Sequence, residues 1–244
     1  MIKVKTSDSS SLSGTLSFPE TLMQMITGFT VSKTIITAIE LDLFTKLSGK
    51  SVTFKQLQTI LEFEFRPTEV FVSALVALGL LVHSNSIKNQ ETKQKSLEKS
   101  IFENSKIAKE FLDKNNPITY IGDSILMGDK YLYPRWDNIV ESLKTNRPLK
   151  AKTDKVNNGS AIYEKAKANK LSEQVQTFTR AMFGISVGPR MTPEKSFDFS
   201  NYTKLMDIGG DSGVYPIQIV KQQTNMNAVV SDSKPVCIIA EEYI

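Results

Sequence analysis

The chain has 244 residues, a length that allows one large domain or two smaller ones. Its 40% hydrophobic and 23% charged residues are typical of a folded globular protein, so disorder along the whole chain is excluded. The single cysteine, Cys237, excludes an intramolecular disulfide framework, and the single histidine, His83, excludes a metal centre with several histidine ligands. We expect no metal site, and we expect His83 to lie on the surface.

Charge and hydropathy bear on location and partners. A formal net charge of +4 is weak evidence for a nucleic-acid partner in a chain of this length. The longest apolar run, residues 74–82, is too short to cross a bilayer, and residues 1–14 lack the apolar segment of a secretory signal. The expected location is the cytoplasm, with neither a membrane nor a nucleic acid as partner.

Apolar spacing predicts a helical N-terminal region. Residues 1–18 are rich in Ser and Thr and are predicted to form a flexible arm. A helical stripe starts at Pro19 and continues to Phe44, with Gly28 as a candidate break because glycine costs about 1 kcal/mol inside a helix.

Residues 52–83 predict a winged helix. A short helix through Leu61 is followed by a second helix that starts near Pro67 and ends at Gly79, and residues 80–83 read as a strand. This order of helix, turn, helix and strand is that of a winged helix. The second helix carries no Lys or Arg with which to read bases, so subunit packing is favoured over DNA binding. Residues 86–116 are predicted to be a solvated connection with short helical pieces.

Beyond residue 117 the pattern changes from helical to α/β. Residues 117–149 contain two helical segments, and a helix is predicted from about residue 162 to Phe183. Residues 202–208 read as a buried strand, residues 214–222 as a helix and residues 227–232 as a second strand, which together make a βαβ unit.

A glycine-rich turn joins the first of these strands to the helix. Its sequence, residues 207–213, is DIGGDSG, and Asp232 follows the second strand about 20 residues after the turn, where an acidic residue can accept hydrogen bonds from a ribose. Asp211 would place a carboxylate beside any phosphate, and the lysine of a P-loop is missing. A cationic or zwitterionic cofactor with a ribose, such as S-adenosylmethionine, fits better than a dinucleotide.

Residues 204–244 resemble the cofactor segment of the S-adenosylmethionine-dependent O-methyltransferases of the caffeic-acid and acetylserotonin type, particularly bacterial members. The usual motif there is Asp-x-Gly-Gly-Gly-x-Gly, followed by Asp-Leu-Pro at the second strand. Five positions match and Asp211 replaces the third glycine; the matching residues are Asp207, Gly209, Gly210, Gly213 and Asp232. The resemblance extends over nearly the whole chain, including the helices before Leu47 and the block of residues 52–82.

The resemblance implies the site residues. Asp207 and the three matching glycines would hold the methionine end of the cofactor, and Asp232 would hold its ribose. Phe178 and Met182 match a Phe-x-x-x-Met pair that the family uses near cofactor and acceptor, although both could equally be core residues. The family's general base is a histidine later in the methyltransferase sheet, so it is expected beyond Ile244. Either the sequence is C-terminally truncated, or the protein has lost its catalytic half.

The expected fold is a mainly α N-terminal winged-helix dimerisation domain followed by the start of an α/β Rossmann-like methyltransferase domain. The predicted segments are an arm at 1–18, the dimerisation domain at 19–116, a helical linker and acceptor-side segment at 117–196, and an incomplete cofactor-binding domain at 197–244.

The expected function is methyl transfer from S-adenosylmethionine to a hydroxyl of a small, aromatic acceptor by a homodimer, with these 244 residues alone inactive. The alternative is a non-catalytic truncated homologue that only dimerises or binds the cofactor. A winged-helix regulator is a third alternative, and it predicts salt-sensitive DNA binding.

Overall fold

The computed structural model describes residues 18–84, 97–98, 100–147, 168, 171–186, 188 and 196–244. The arm predicted at residues 1–18 falls almost wholly outside these ranges. Helix α1 spans Phe18–Glu40 and passes through Gly28 without interruption, so the candidate break there is wrong. A side chain at Gly28 would meet nothing within 4 Å, which means that the helix accepts glycine here without requiring it.

The N-terminal domain packs short helices around a small antiparallel sheet. Its elements after α1 are α2 (Leu43–Lys46), β1 (Val52–Thr53), α3 (Phe54–Leu61), α4 (Phe65–Ala77), β2 (Leu81–Ser84), β3 (Ile101–Asn104) and α5 (Lys106–Phe111). Thr53 starts α3 with a capping box, because its hydroxyl accepts from the Gln56 amide while the Gln56 side chain accepts from the Thr53 amide. Gly79 follows α4 with φ +70°, the left-handed conformation expected for a glycine at that position.

Strand β3 corrects the prediction of a solvated connection over residues 86–116. It is the central strand of the sheet, in the order β1–β3–β2, and pairs antiparallel with both neighbours. Phe102 is buried opposite Val52, and the Asn104 side-chain amide donates to the Phe44 carbonyl at 2.7 Å. Lys- and Glu-rich flanks hid this strand, whose apolar content is two residues in four.

The middle of the chain is helical. It contains α6 (Gly122–Met127), a π-helical turn (Gly128–Leu132), α7 (Tyr133–Trp136), α8 (Ile139–Thr145) and α9 (Glu173–Ile185). Helix α9 begins at Glu173 with Ser172 as its N-cap, so the predicted start near residue 162 is too early. Gly184 allows α9 to approach α6 closely, because a Cβ there would lie 2.2 Å from Ser124 Oγ.

The C-terminal part confirms the predicted βαβ unit. It consists of strand β4 (Lys204–Ile208), helix α10 (Val214–Gln222) and strand β5 (Asn227–Ser231), and the two strands pair in parallel with Asp207 opposite Val230. Helix α11 (Lys234–Ala240) follows. Met206, Ile208 and Val229 lie on one sheet face and are exposed, so the prediction that the first strand is buried is wrong.

One described helix, over residues 19–40 of α1, is long and apolar enough to cross a membrane by length and composition. Those two properties are shared by helices that pack against protein, so they do not by themselves identify a membrane span. The apolar residues near its start are exposed, and they are Leu22, Met23, Met25, Ile26 and Phe29.

Candidate functional site: the glycine loop between β4 and α10

The glycine loop, residues 209–213, is tied to both strands of the C-terminal sheet. Gly209 donates its amide to the Ser231 carbonyl at 2.7 Å, and Gly213 donates to the Gly210 carbonyl at 2.9 Å. Gly209 and Gly213 both have φ +72°, a conformation that glycine adopts without steric cost. Gly213 is also the N-cap of α10, so the loop delivers the chain directly to the amide-rich start of that helix.

Glycine is required at residue 210 because neighbouring side chains leave no space for a Cβ, and its φ angle does not require glycine. A Cβ at this position would lie 2.8 Å from Oδ2 of Asp207 and 3.0 Å from Cγ1 of Val230. The Asp207 carboxyl is therefore packed directly beneath the loop. Burial raises the pKa of Asp207 above its usual value, and the charge of Asp232 raises it further.

Asp232 follows β5 and holds the loop from below. Its Oδ2 accepts a hydrogen bond from the Asp211 amide at 3.1 Å, and its Oδ1 accepts from the Ser233 amide at 2.6 Å. Both carboxylate oxygens are thus oriented by backbone donors. The predicted neighbours Asp207, Gly210 and Asp232 are brought together in this structure.

Asp211 is the unusual residue of the loop. It adopts φ +49°, a left-handed conformation that costs a non-glycine residue free energy, although aspartate tolerates it better than most. Burial raises the pKa of its carboxyl to about 6, and the charge of Asp232 adds to the rise. Hydrogen bonding from the Ser212 amide and hydroxyl, and the nearby Thr179 hydroxyl, partly oppose that rise.

Thr179 connects the loop to α9. It is fully buried, and its Oγ1 has no hydrogen bond of normal geometry although it lies near the Asp211 carboxyl. Phe178 and Met182, the predicted pair on α9, lie one residue before and three residues after Thr179, and both are half-buried. Their helix therefore reaches the loop through Thr179, which the sequence analysis did not single out because a lone threonine in a helix carries no spacing signal.

The C-terminal turn fixes the position of α9. Arg180 makes a two-pronged ion pair with Glu242, with NH2–Oε1 at 2.7 Å and Nε–Oε2 at 3.1 Å. The rings of Phe183 and Tyr243 stack with centroids 3.9 Å apart. These contacts join residues far apart in sequence, so no local pattern could have predicted them.

The single histidine and the single cysteine of the chain lie outside the loop. His83 is exposed in β2 and stacks on Phe102 with ring centroids 5.9 Å apart, which confirms its expected surface position. Cys237 is half-buried on α11, where its Sγ donates to the Asp232 carbonyl at 3.5 Å. Among the described residues, no group of three or more His, Cys, Asp or Glu is placed to hold a metal ion.

The raised pKa of Asp211 predicts a pH-dependent stability. The folded state favours the protonated carboxyl, so this contribution to stability is fully present below about pH 4 and is lost as the pH rises through about 6. Asp211→Asn is neutral at every pH and is expected to be more stable than the wild type by about 1–2 kcal/mol near neutral pH, and by less at about pH 5.

Urea unfolding of both proteins at the two pH values measures this effect. Asp198→Asn is the matched control, because Asp198 is exposed and hydrogen bonding from Ser200 lowers its pKa. The control should show no gain in stability near neutral pH. An Asp211→Asn gain that is the same at both pH values would contradict the prediction.

Comparison with known proteins identifies the N-terminal domain. Residues 23–114 match the family described as the O-methyltransferase dimerisation domain. The chain is 26% identical over 226 residues to the 3-hydroxy-5-methyl-1-naphthoate 3-O-methyltransferase of Streptomyces sahachiroi, covering 93% of this chain and 59% of that protein. It is 27% identical over 214 residues to the tetracenomycin polyketide synthesis 8-O-methyl transferase of Streptomyces glaucescens, covering 88% and 56%.

The fold extends the likeness beyond the dimerisation domain. The crystal structure of human N-acetylserotonin methyltransferase in complex with S-adenosylmethionine superposes with a TM-score of 0.70 at 16% identity, covering 96% of this chain and 64% of that one. The chain thus spans between half and two thirds of the length of these proteins. The chain is similar to S-adenosylmethionine-dependent O-methyltransferases, and combines an O-methyltransferase dimerisation domain with part of a Rossmann-like methyltransferase fold.

Proposed function

We propose that the protein takes part in methyl transfer from S-adenosylmethionine to a hydroxyl of a small aromatic acceptor. The observation that carries this proposal is the glycine loop held by Asp232 beside α9, which has the form of a cofactor cradle. Gly209 leaves room for a ligand against the backbone, because a Cβ there would meet nothing within 4 Å, and Asp207 and Asp232 supply acceptors beneath the loop.

The residues present fit this cofactor. Asp207, with the backbone at Gly209, Gly210 and Gly213, would hold the methionine end, and Asp232 would hold the ribose hydroxyls. Phe178 and Met182 would border the reacting groups from α9 with an aromatic wall and a polarisable thioether. Two buried hydroxyl oxygens without a hydrogen-bond partner, Thr179 Oγ1 and Ser233 Oγ, lie beside Asp211 and Asp232 and offer further polar contacts.

The chemistry that the cofactor supplies when bound is a methyl group on a positively charged sulfur. This chain's contribution is to bind and orient that group against the acceptor oxygen, since alignment supplies much of the rate in such a displacement. The proton of the acceptor hydroxyl must go to a base. His83 lies in the N-terminal sheet, so no histidine of these 244 residues is assigned that role.

The acceptor class is inferred from the relatives. The two Streptomyces proteins are named for a hydroxynaphthoate and for a tetracenomycin polyketide, which are aromatic compounds. We infer a hydroxylated aromatic acceptor for this chain as well, handled in the cytoplasm. We also infer a homodimer formed through α1, because its exposed apolar residues from Met23 onward fall within the matched dimerisation domain.

Calorimetric titration of the purified chain with S-adenosylmethionine tests the cofactor site. Asp232→Ala is expected to weaken binding by about 100-fold, because it removes an oriented charged acceptor and frees the loop amide of Asp211. Asp198→Ala is the control, since it removes the same charge at an exposed position. An absence of binding by the wild type, or equal binding by the Asp232→Ala variant, would overturn the proposal.

A methyl-transfer assay separates the two functional alternatives. The chain is incubated with S-adenosylmethionine labelled in its methyl group and with a naphthol acceptor, and label in the acceptor is measured. Transfer supports an enzyme. Cofactor binding together with no transfer supports a dimerising, cofactor-binding homologue that does not turn over.

A further inference from the structure

Asp211 occupies a loop position whose backbone favours glycine. Its φ of +49° is left-handed, and the family's usual motif has glycine there. Its carboxyl is also buried beside a second carboxylate, that of Asp232. Both features oppose an aspartate at this position, so its side chain needs an explanation that stability does not supply.

The carboxyl of Asp211 lies in the gap between the loop and α9. On the loop side it is held by the Ser212 amide and hydroxyl, and on the α9 side it lies beside the buried Thr179 hydroxyl. Thr179 stands between Phe178 and Met182, the two residues proposed to border the reacting groups. The carboxyl is thus half-buried between the loop and the helix that carries Phe178 and Met182.

The charge around this gap is negative. The charge of Asp232 raises the pKa values of both Asp207 and Asp211, and no cation is among the groups that shift the pKa of either carboxyl. Arg180, the cation of the described part of α9, is paired with Glu242. A cluster of carboxylates without a cation favours a positively charged ligand.

We propose that Asp211 makes the site prefer the positively charged cofactor, S-adenosylmethionine, to its uncharged product, S-adenosylhomocysteine. The inference rests on the proposed function. In the reaction, the bond from sulfur to the methyl carbon breaks as the bond from the acceptor oxygen forms, the electron pair stays on sulfur, and the acceptor proton is released. The sulfur loses its positive charge, so the attraction to Asp211 is lost with the methyl group and the product is released more readily.

Protonation of Asp211 would weaken this preference at low pH. The other ionisable groups around its carboxyl are Asp207 and Asp232 from the sheet and Tyr243 from the C-terminal turn. Tyr243 has its pKa raised to about 12 by burial and stays neutral throughout. The preference for S-adenosylmethionine over S-adenosylhomocysteine should therefore fall as the pH is lowered. If this fall disappears in Asp211→Asn, protonation of Asp211 is its cause.

The test measures the dissociation constants of both compounds by calorimetry at neutral pH. In Asp211→Asn, which keeps the shape and removes the charge, the ratio of the two constants is expected to shift towards the product by about tenfold. Asp198→Asn should leave the ratio unchanged. Sinefungin, which carries an ammonium group where the cofactor has its sulfonium, should behave like the cofactor in every variant.

The outcomes distinguish the two proposals. If the wild type binds neither compound, the proposed function fails and this inference fails with it. If the wild type binds both and Asp211→Asn keeps the wild-type ratio, only the role of Asp211 is overturned. Asp211→Gly, which relieves the left-handed backbone, provides a second charge-free variant and must give the same shift if charge is the cause.

Discussion

Replacing Phe54 with alanine is expected to lower the free energy of unfolding of the N-terminal domain by about 3–5 kcal/mol. Phe54 is fully buried as the first residue of α3. Its ring centroid lies 5.0 Å from that of Phe65 in α4 and 6.3 Å from that of Phe102 in β3. The substitution removes a contact shared by three elements and leaves a cavity that rigid neighbours cannot fill.

Urea unfolding monitored by circular dichroism measures this loss. Val70→Ala on α4 is the control, because Val70 is exposed and its truncation should change the free energy of unfolding by less than about 0.5 kcal/mol. A Phe54→Ala protein as stable as the control would show that the aromatic cluster does not hold the domain together.

The glycine loop and its flanking elements were predictable because their signals are local. An apolar run, a glycine-rich turn and an apolar helix follow one another within 20 residues or so, and each follows from backbone preference. Helix α10 accordingly has the predicted bounds, and Gly79 ends α4 as expected. The pairing of β4 with β5 followed from the rule that a strand, helix and strand in succession make a parallel unit.

Strand β3 and the start of α9 were not predictable in the same way. Phe102 is a strand residue because Val52 and His83 lie on either side of it, and neither is near it in sequence. The lysines and glutamates around it are typical of a solvated segment, so composition pointed the other way. Tertiary pairing decided the structure there.

In the candidate site, too, the local features were predictable from the sequence and the tertiary contacts were not. Asp232 was predicted beside the loop from its spacing, but the spacing does not reveal that its carboxylate accepts from the Asp211 amide. Thr179 contributes to the site because of the position of α9. The Arg180–Glu242 ion pair and the stacking of Phe183 on Tyr243 hold that helix in place. Helix α9 also packs on α6 through the Ser124–Ala181 hydrogen bond, and Ile125 and Leu126 of α6 pack against the core of the N-terminal domain.

Placing two glutamates on the exposed face of α1 is expected to convert the proposed homodimer into a monomer. Met25 and Phe29 are one helical turn apart and are 74% and 56% exposed, and Leu22 and Ile26 extend the same face. Such an apolar face on a described helix matches the interior of a subunit interface. Burying two unpaired carboxylates in each subunit should raise the dimer dissociation constant by at least about 100-fold.

Size-exclusion chromatography with light scattering compares Met25→Glu/Phe29→Glu with the wild type. Gln24→Glu/Thr27→Glu is the matched control, because it adds the same charge to the same two turns on a different face of the helix. The control should remain dimeric.

If both variants stay dimeric, α1 is not the interface. If both become monomeric, added charge on α1 separates the subunits and the apolar face is not what joins them. If the wild type is itself monomeric, these residues lack a second copy as their partner, and binding of the wild type to lipid vesicles would then assign the face to a membrane.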